Sequence, residues 1–266
     1  MRTVKPKKFL GQHFLTDLDI AQRIADTVDT CPDIPVLEVG PGMGVMTQFL
    51  MTKPRHLKVV ELDEESVTYL RRTWPQLEDN IVEDDFLKMH LDRTFDGAPF
   101  VLTGNYPYNI SSQIFFKMLD NRDFIPCCTG MIQKEVADRI CASPGTKAYG
   151  ILSVLIQAWY TPEYLFTVEP HVFNPPPKVR SAVIRLTRND ATRLGCDEAL
   201  FKRVVKTTFN QRRKTLRNNL RPLLVELLPA ADHSAFLADS LFNLRPEQLS
   251  LAQFINLTKH IEQLLS

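Results

Sequence analysis

The stretch Pro35-Val36-Leu37-Glu38-Val39-Gly40-Pro41-Gly42-Met43-Gly44 constrains the fold more than any other part of the chain. An apolar run of strand length stops in three glycines, and a helical pattern follows through Phe49. Glycine is needed where a backbone turns sharply and a ligand must come closer than a Cβ would allow. A second apolar run, Leu57-Lys58-Val59-Val60, ends in Glu61-Leu62-Asp63. Glu61 stands 21 residues after Gly40, the interval at which an acid closing the second strand reaches the ribose hydroxyls of a nucleoside.

The alternation continues. Asn80-Ile81-Val82 runs into Glu83-Asp84-Asp85-Phe86-Leu87-Lys88, Phe100 to Asn105 reads as a strand, Ser111 to Leu119 as a helix, and Ser181 to Leu186 as a final strand. Such elements predict an α/β fold, a twisted and mostly parallel sheet with helices on both faces. Ligands in such sheets sit beyond the carboxyl ends of the strands. Gly40, Gly42, Gly44, Glu61, Asp85 and Asn105 all fall at those ends, so one edge is expected to bind. Trp74 and Trp159 read as packing residues.

The glycine turn narrows the ligand. A nicotinamide-binding turn places its third glycine one position later, where this chain has Val45. No Gly-Lys-Ser/Thr phosphate loop is present. Glu38 makes the turn Glu-x-Gly-x-Gly-x-Gly, a pattern that fits S-adenosylmethionine. Glu61 then suits the ribose diol, Leu62 one face of the adenine, and Asp85 with the Phe86 amide the adenine edge.

A second motif follows the strand at Phe100: Gly104-Asn105-Tyr106-Pro107-Tyr108. The Asn105 side-chain oxygen and a carbonyl at Tyr106 or Pro107 can accept both hydrogens of an exocyclic amino group. The Tyr108 ring offers a face to a flat base. This equipment suits the NH2 of adenine, cytosine or glutamine. No Ser-His-Asp or paired-carboxylate arrangement accompanies it, and methylation of such a nitrogen needs no strong base.

Net charge is only +1, but its distribution is uneven. Arg2, Lys5, Lys7 and Lys8 lie in an acid-free start; Lys202, Arg203, Lys206, Arg212, Arg213, Lys214, Arg217 and Arg221 lie in an acid-free run from 201 to 225. Two basic runs flanking an acidic body favour a polyanionic partner. Arg212, Arg213, Lys214 and Arg217 are expected along one helix, contacting phosphates. Five cysteines without Cys-x-x-Cys spacing read as reduced thiols, with no zinc site. No apolar stretch is long enough to span a bilayer and the N-terminus lacks a signal-peptide pattern, so a cytoplasmic protein is expected.

With 266 residues, 44% of them hydrophobic, the chain can form one large or two modest domains. Thr16 or Asp17 can cap a first helix carrying Ile20, Ile24 and Val28. Residues 188 to 196 are polar and aperiodic, and helical patterns dominate beyond them, with Ser250 and Gln253 forming a possible capping box. Two domains are predicted, 1–187 holding the nucleoside site and a basic tail, and 188–266 a helical domain that binds RNA.

Several of these stretches occur together in a known family. Gly11-Gln12-His13-Phe14-Leu15, Glu38 to Gly44, Glu61-Leu62-Asp63, Asp85 to Lys88, Asn105 to Tyr108, Gln133 to Val136, Tyr149 to Ser153 and Phe173 to Ser181 follow one another in an order that resembles the rRNA adenine N6,N6-dimethyltransferases, the small-subunit branch above all. The resemblance covers residues 1 to about 187 by motif. It implies a Rossmann-like, mixed seven-stranded sheet and transfer of methyl groups to N6 of two adjacent adenosines, in a hairpin loop near the 3' end of small-subunit rRNA within an assembling particle. It also implies that Gln12, His13 and Leu15 join the cofactor site near its methionine end. Asn105, Pro107, Tyr108 and Phe173 would form the base pocket, and a rigid Pro-Pro-Pro loop would aim Phe173 and Lys178.

A monomer without metal is expected. Two positions depart from the family pattern: Tyr106, usually Leu or Ile, and His13, often Asn. Tyr106 would alter the pocket wall or its RNA-facing edge. Rival readings stay open: a large-subunit rRNA dimethyltransferase of the macrolide-resistance type, a DNA adenine methyltransferase, or a mainly non-catalytic ribosome-assembly factor.

Overall fold

The computed structural model describes residues 4–229 and 233–265. The first unit holds β1 (Phe14–Leu15), α1 (Leu18–Asp26), β2 (Val36–Val39), α2 (Thr47–Leu50), β3 (Leu57–Glu61), α3 (Glu64–Thr73), β4 (Ile81–Glu83), β5 (Val101–Thr103), α4 (Ser111–Asp120), β6 (Cys127–Gln133), β8 (Phe173–Asn174) and β9 (Ser181–Arg188), together with the start of α5 (Lys134–Ile140) and all but the first residue of β7 (Tyr160–Val168). Among the described residues a seven-stranded sheet runs in the order β4-β3-β2-β5-β6-β9-β7. Its pairs β4-β3, β3-β2, β2-β5 and β5-β6 are parallel, and β6-β9 is antiparallel. This is the predicted mixed, mostly parallel sheet.

The central strand β2 is buried along its whole length, as expected of a parallel strand covered on both faces. Order reverses between β2 and β5, which lead in sequence to opposite sides of the sheet. The crevice of such a fold opens beyond the carboxyl ends of these two strands. Asp17 caps α1, accepting from the Ile20 amide at 3.0 Å, and Ala21, Ile24 and Ala25 turn into the core. β1 and β8 form a separate two-stranded pairing, with Leu15 opposite Phe173 and Phe14 opposite Asn174.

A second compact unit comprises residues 138–160 and 189–266. It holds α6 (Ile151–Gln157), α7 (Glu198–Asn210), α8 (Leu216–Leu227), α9 (Ser234–Leu237) and α10 (Leu251–Leu265). In its core Tyr149 meets Phe209 edge-on, Phe209 packs against Phe254 at a tilt, and Trp159 meets Phe201 edge-on. Ser250 and Gln253 exchange hydrogen bonds at the start of α10. The segment 138–160, assigned by sequence to the first domain, packs with the C-terminal helices. Leu155 and Ile156 are fully buried there, and no linker composition marks the crossings near Ala137 and Tyr160.

Two further expectations are corrected. The basic segment Gln211 to Lys214 is a turn between α7 and α8, because the apolar positions that hold these helices stop at Phe209 and resume at Leu216. Cys31 and Cys127, 96 residues apart, form a disulfide, whereas Cys128, Cys141 and Cys196 are free. Sequence spacing carries no trace of a pairing made by the ends of an apolar loop and a core strand.

Candidate active site

A cavity of about 220 Å³ opens at the carboxyl ends of β2, β3 and β5, entirely within the first unit. It is lined by Gln12, His13, Leu15, Glu38, Gly40, Gly42, Glu61, Leu62, Asp85, Phe86, Asn105, Pro107 and Tyr108. Residues scattered over nearly a hundred positions of sequence therefore meet at one edge.

The glycine turn shapes the floor. Gly42 has φ +56°, and a Cβ there would lie 2.9 Å from the Phe14 ring, so only glycine fits. Its amide donates to Glu61 Oε2 at 3.1 Å. Glu61 Oε1 accepts from the Leu62 and Asp63 amides, both at 2.9 Å. Three backbone donors thus pin a carboxylate with about four acceptor positions, leaving one for a hydroxyl. Burial raises the Glu61 pKa, and these amides offset part of that rise. Gly44 does not line the cavity. A Cβ on it would lie 2.5 Å from Trp74 Nε1, so this glycine lets α3 and its following turn approach the loop.

Glu38 is 1% exposed, and its Oε2 has no hydrogen-bond partner. Burial pushes its pKa up to about 8, the Thr47 side chain working against this and Glu61 adding to it. A buried acid of this kind, at the wall of a cavity, calls for a cationic partner. On the opposite wall, Asp85 Oδ1 accepts from the Leu87 amide at 2.9 Å, and Asp84 Oδ1 from the Asp85 amide at 2.7 Å. Lys117 of α4 holds this turn from behind, donating to Leu87 O at 2.9 Å and Met89 O at 2.6 Å. Burial lowers the Lys117 pKa, against the attraction of Asp85 and Asp84.

Asn105 Nδ2 donates to the His13 carbonyl at 3.2 Å. That bond fixes the amide orientation and leaves Oδ1 as a free acceptor. Tyr108 is held at two points: its hydroxyl bonds to Ser181 Oγ, and its ring stacks on His13 with centroids 5.3 Å apart and planes at 29°. His13 Nδ1 lies 2.7 Å from the Pro175 carbonyl and donates to it. Tyr106 turns the other way. Its ring is 1% exposed, and its hydroxyl donates to Thr129 O at 2.9 Å. Gly130 makes room for it, since a Cβ there would meet the ring at 2.8 Å. Tyr106 is among the residues that line the cavity, while its ring and hydroxyl are buried in the sheet core.

Phe173 was expected in the base pocket. It is 3% exposed, packs in the core with Leu15 and Val172, and does not line the cavity. Of the expected cations, Lys5, Lys8, Lys178, Arg213 and Lys214 are exposed. Lys7 pairs instead with Asp63. Burial favours the neutral form of Asp63, but Lys7, Ser66 and Gln12 hold its pKa below the ordinary value. Gln12 completes this clasp, accepting from the Lys7 amide at 2.8 Å and donating to Asp63 at 3.3 Å. Arg212 reaches Thr146 O at 3.2 Å and lies 3.9 Å from Glu247, and Arg217 donates to Leu237 O at 3.1 Å. Sequence reasoning missed Lys117, Asp63, Ser181 and Asn109 as supports of the site. Two of them carried a signal, Asp63 as the last residue of Glu61-Leu62-Asp63 and Ser181 as the last residue of the Phe173 to Ser181 motif.

Among the described residues no group of three or more His, Cys, Asp or Glu is arranged to hold a metal, and no helix is long and apolar enough to cross a membrane.

The family model for ribosomal RNA adenine dimethylase matches residues 3–263. The chain is 72% identical over 265 residues to the ribosomal RNA small subunit methyltransferase A of Bacteroides thetaiotaomicron, covering 100% of this chain and 97% of that protein. It is 52% identical to the protein of the same name from Flavobacterium johnsoniae, covering 98% of each. Among solved structures, a dimethyladenosine transferase from Plasmodium falciparum superposes with TM-score 0.80 at 22% identity, covering 94% of this chain and 98% of that one. The 23S rRNA methyltransferase ErmE superposes with TM-score 0.64 at 27% identity, covering 92% and 99%. With its sheet, its glycine turn and its Asn-Tyr-Pro-Tyr loop in place along the full length of the match, the chain belongs to the ribosomal RNA adenine dimethylase family.

Proposed function

We propose that this protein transfers methyl groups from S-adenosylmethionine to N6 of two adjacent adenosines in a hairpin loop near the 3' end of small-subunit rRNA, during assembly of that subunit. Identities of 52% to 72% to proteins named as small-subunit methyltransferases, against 27% to a 23S rRNA enzyme, favour the small subunit as substrate. The observation that carries the chemistry is the Asn105 amide, oriented by the His13 carbonyl so that its oxygen is free at the cavity wall.

The cavity fits S-adenosylmethionine. The orphaned carboxylate oxygen of Glu38 is matched to a cationic group of the ligand's methionine end, beside Gln12 and His13. Glu61 retains one acceptor position for the ribose diol, the exposed Leu62 side chain suits one face of the adenine, and Asp85 with the Phe86 amide suits its edge. When bound, this cofactor supplies an electrophilic methyl group on a sulfonium.

The chain's own part is to make the adenine amino group nucleophilic. The N6 lone pair is delocalised into the ring, and attack requires it to become tetrahedral. Asn105 Oδ1 and the carbonyl at Tyr106 or Pro107 accept its hydrogens and favour that geometry while positive charge develops on nitrogen. Tyr108, held by Ser181 and His13, fixes the plane of the base. Positioning of this kind is worth roughly 7 to 11 kcal/mol. The charged product amine loses its proton to water, so no general base is needed. The adenosine must leave its stack to enter, at a cost of a few kcal/mol that is least in a loop. Lys5, Lys8, Lys178, Arg213 and Lys214 are the phosphate contacts in this reading.

The test is transfer of labelled methyl to undermethylated small subunits, large subunits, naked rRNA and DNA, with mass spectrometry of the nucleosides. N6,N6-dimethyladenosine formed in small subunits alone is the expected result. Label in large-subunit RNA would move the assignment to the resistance-type enzyme.

A further inference from the structure

Phe9 is 77% exposed, the most solvent-facing large apolar side chain among the described residues. A lone exposed apolar side chain is common on protein surfaces, so it is the ring's fixed placement that carries information. It is not on a loose tail. Lys8 to Leu10 form a single 3-10 turn closed by Gly11 at φ +65°, and the Gly11 amide bonds back to Lys8 O at 3.1 Å. A Cβ on Gly11 would lie 2.7 Å from Asn109 Oδ1, and the same Asn109 donates to the Phe9 carbonyl at 3.3 Å. On its other side the turn is fixed by the Lys7–Asp63 pair and by Gln12. Leu10, Gly11 and Asn109 line the cavity, so the outward ring stands at its rim, one residue from the wall and beside the Asn105-Tyr106-Pro107-Tyr108 loop.

Lys5 and Lys8 precede Phe9 in the chain, both exposed and neither in an ion pair among the described residues. A fixed aromatic ring close in sequence to two exposed cations, at the mouth of a site that takes a flat base, matches unstacked RNA: bases lie on the ring and phosphates meet the cations.

We infer that Phe9 is a substrate-reading residue, on which a nucleobase flanking the target adenosine stacks when the loop is opened. This inference rests on the function proposed above. Lys7 is spent on anchoring the turn, while Lys5 and Lys8 hold the backbone of the stacked nucleotide. Because stacking is tolerant of base identity, Phe9 contributes to loop recognition more than to sequence choice.

The test uses the full-length protein with undermethylated small subunits, measuring KM for the subunit, kcat and the dissociation constant for S-adenosylmethionine. Phe9→Ala and Phe9→Leu are expected to raise KM by roughly 5- to 100-fold, the span of base–aromatic stacking, with kcat and cofactor affinity within about twofold of wild type. Phe9→Trp, which keeps a flat π face, restores the wild-type KM. Lys5→Ala with Lys8→Ala lowers the salt dependence of KM, which Phe9→Ala leaves unchanged. A Phe9→Leu protein as good as wild type beside a weakened Phe9→Ala would replace stacking by a plain apolar contact and overturn the inference. Wild-type KM for all three variants would overturn it too, while leaving the methyltransferase reading intact; a wild-type protein that methylates no small-subunit RNA would sink both.

Discussion

The cavity and the basic runs were both legible as chemistry in the sequence, yet they fare differently when folded. At the cavity, thirteen of the fifteen residues expected to form it line it, and three of them are fixed by nearby backbone groups: Glu61 by three amides, Asp85 by one, Asn105 by a carbonyl. In the basic runs, Lys7, Arg212 and Arg217 are consumed by Asp63, Thr146 and Leu237. A glycine turn or a strand end dictates where a residue goes, because backbone geometry leaves few alternatives. A run of cations dictates only that charge is present, and long side chains find whichever acceptor is nearest.

The largest effect that would test this contrast is at Asn105. Asn105→Ala removes the free acceptor while keeping the backbone, and is expected to lower kcat by about 100- to 1000-fold, the usual loss for one preorganised polar contact. Cofactor dissociation constant and thermal midpoint should change little. Equal loss of cofactor binding would move Asn105 from the reacting amine to the cofactor.

Glu38 gives a prediction in pH. Its folded pKa, about 8, lies above the ordinary 4.5 of an unfolded glutamate. Between those values the folded protein keeps a proton that the unfolded chain has lost, so stability falls as pH rises from about 4.5 to about 8 and is unaffected by this group outside that window. The upper bound is about 4 to 5 kcal/mol, at 1.36 kcal/mol per unit. Denaturant midpoints of the cofactor-free protein across this range should show the decline, and Glu38→Gln should flatten it. A decline of equal size in the variant would assign it elsewhere.

Lys117 tests whether a support invisible in sequence matters. It lies in α4, 32 residues beyond Asp85, and reads as an ordinary solvent-facing lysine of an amphipathic helix. Its two hydrogen bonds to the Leu87 and Met89 carbonyls are long-range consequences of how α4 packs. Lys117→Met should weaken S-adenosylmethionine binding by about tenfold, at roughly 1 kcal/mol per bond with partial relaxation. Amide exchange at residues 84 to 89 should quicken, and Lys117→Arg should recover part of both. Unchanged exchange would make the lysine incidental to the loop.

The same distinction explains what the sequence left hidden elsewhere. The strand runs at Val36, Leu57, Ile81, Val101 and Ser181 were readable because their ends carry glycine, acid or the Asn-Pro motif. β7 carries Pro162 and Glu163 among mixed polar residues and gives no clean alternation. Segment 138–160 joins the second unit because Tyr149, Val154 and Trp159 are buried there, a matter of tertiary partners that local pattern does not encode. The family resemblance, and no local pattern, placed Phe173 at the base pocket; its strand pairs with β1 and its ring is buried.

The smallest expected effects separate the cations from one another. Five exposed ones, Lys5, Lys8, Lys178, Arg213 and Lys214, would give a log-log salt slope of about −3.5 for RNA binding, at about −0.7 per phosphate. Arg213→Ala should reduce that slope by about 0.7 and weaken binding a few-fold, without altering thermal stability. Arg217→Ala should do the opposite. Its guanidinium is half-buried and donates to the carbonyl ending α9, so its loss leaves a carbonyl without its donor and should cost about 1 kcal/mol of stability, with the salt slope intact. If both variants lower the slope equally, Arg217 exchanges its internal carbonyl for a phosphate when RNA binds, and the division of these runs into anchors and contacts holds only for the free protein.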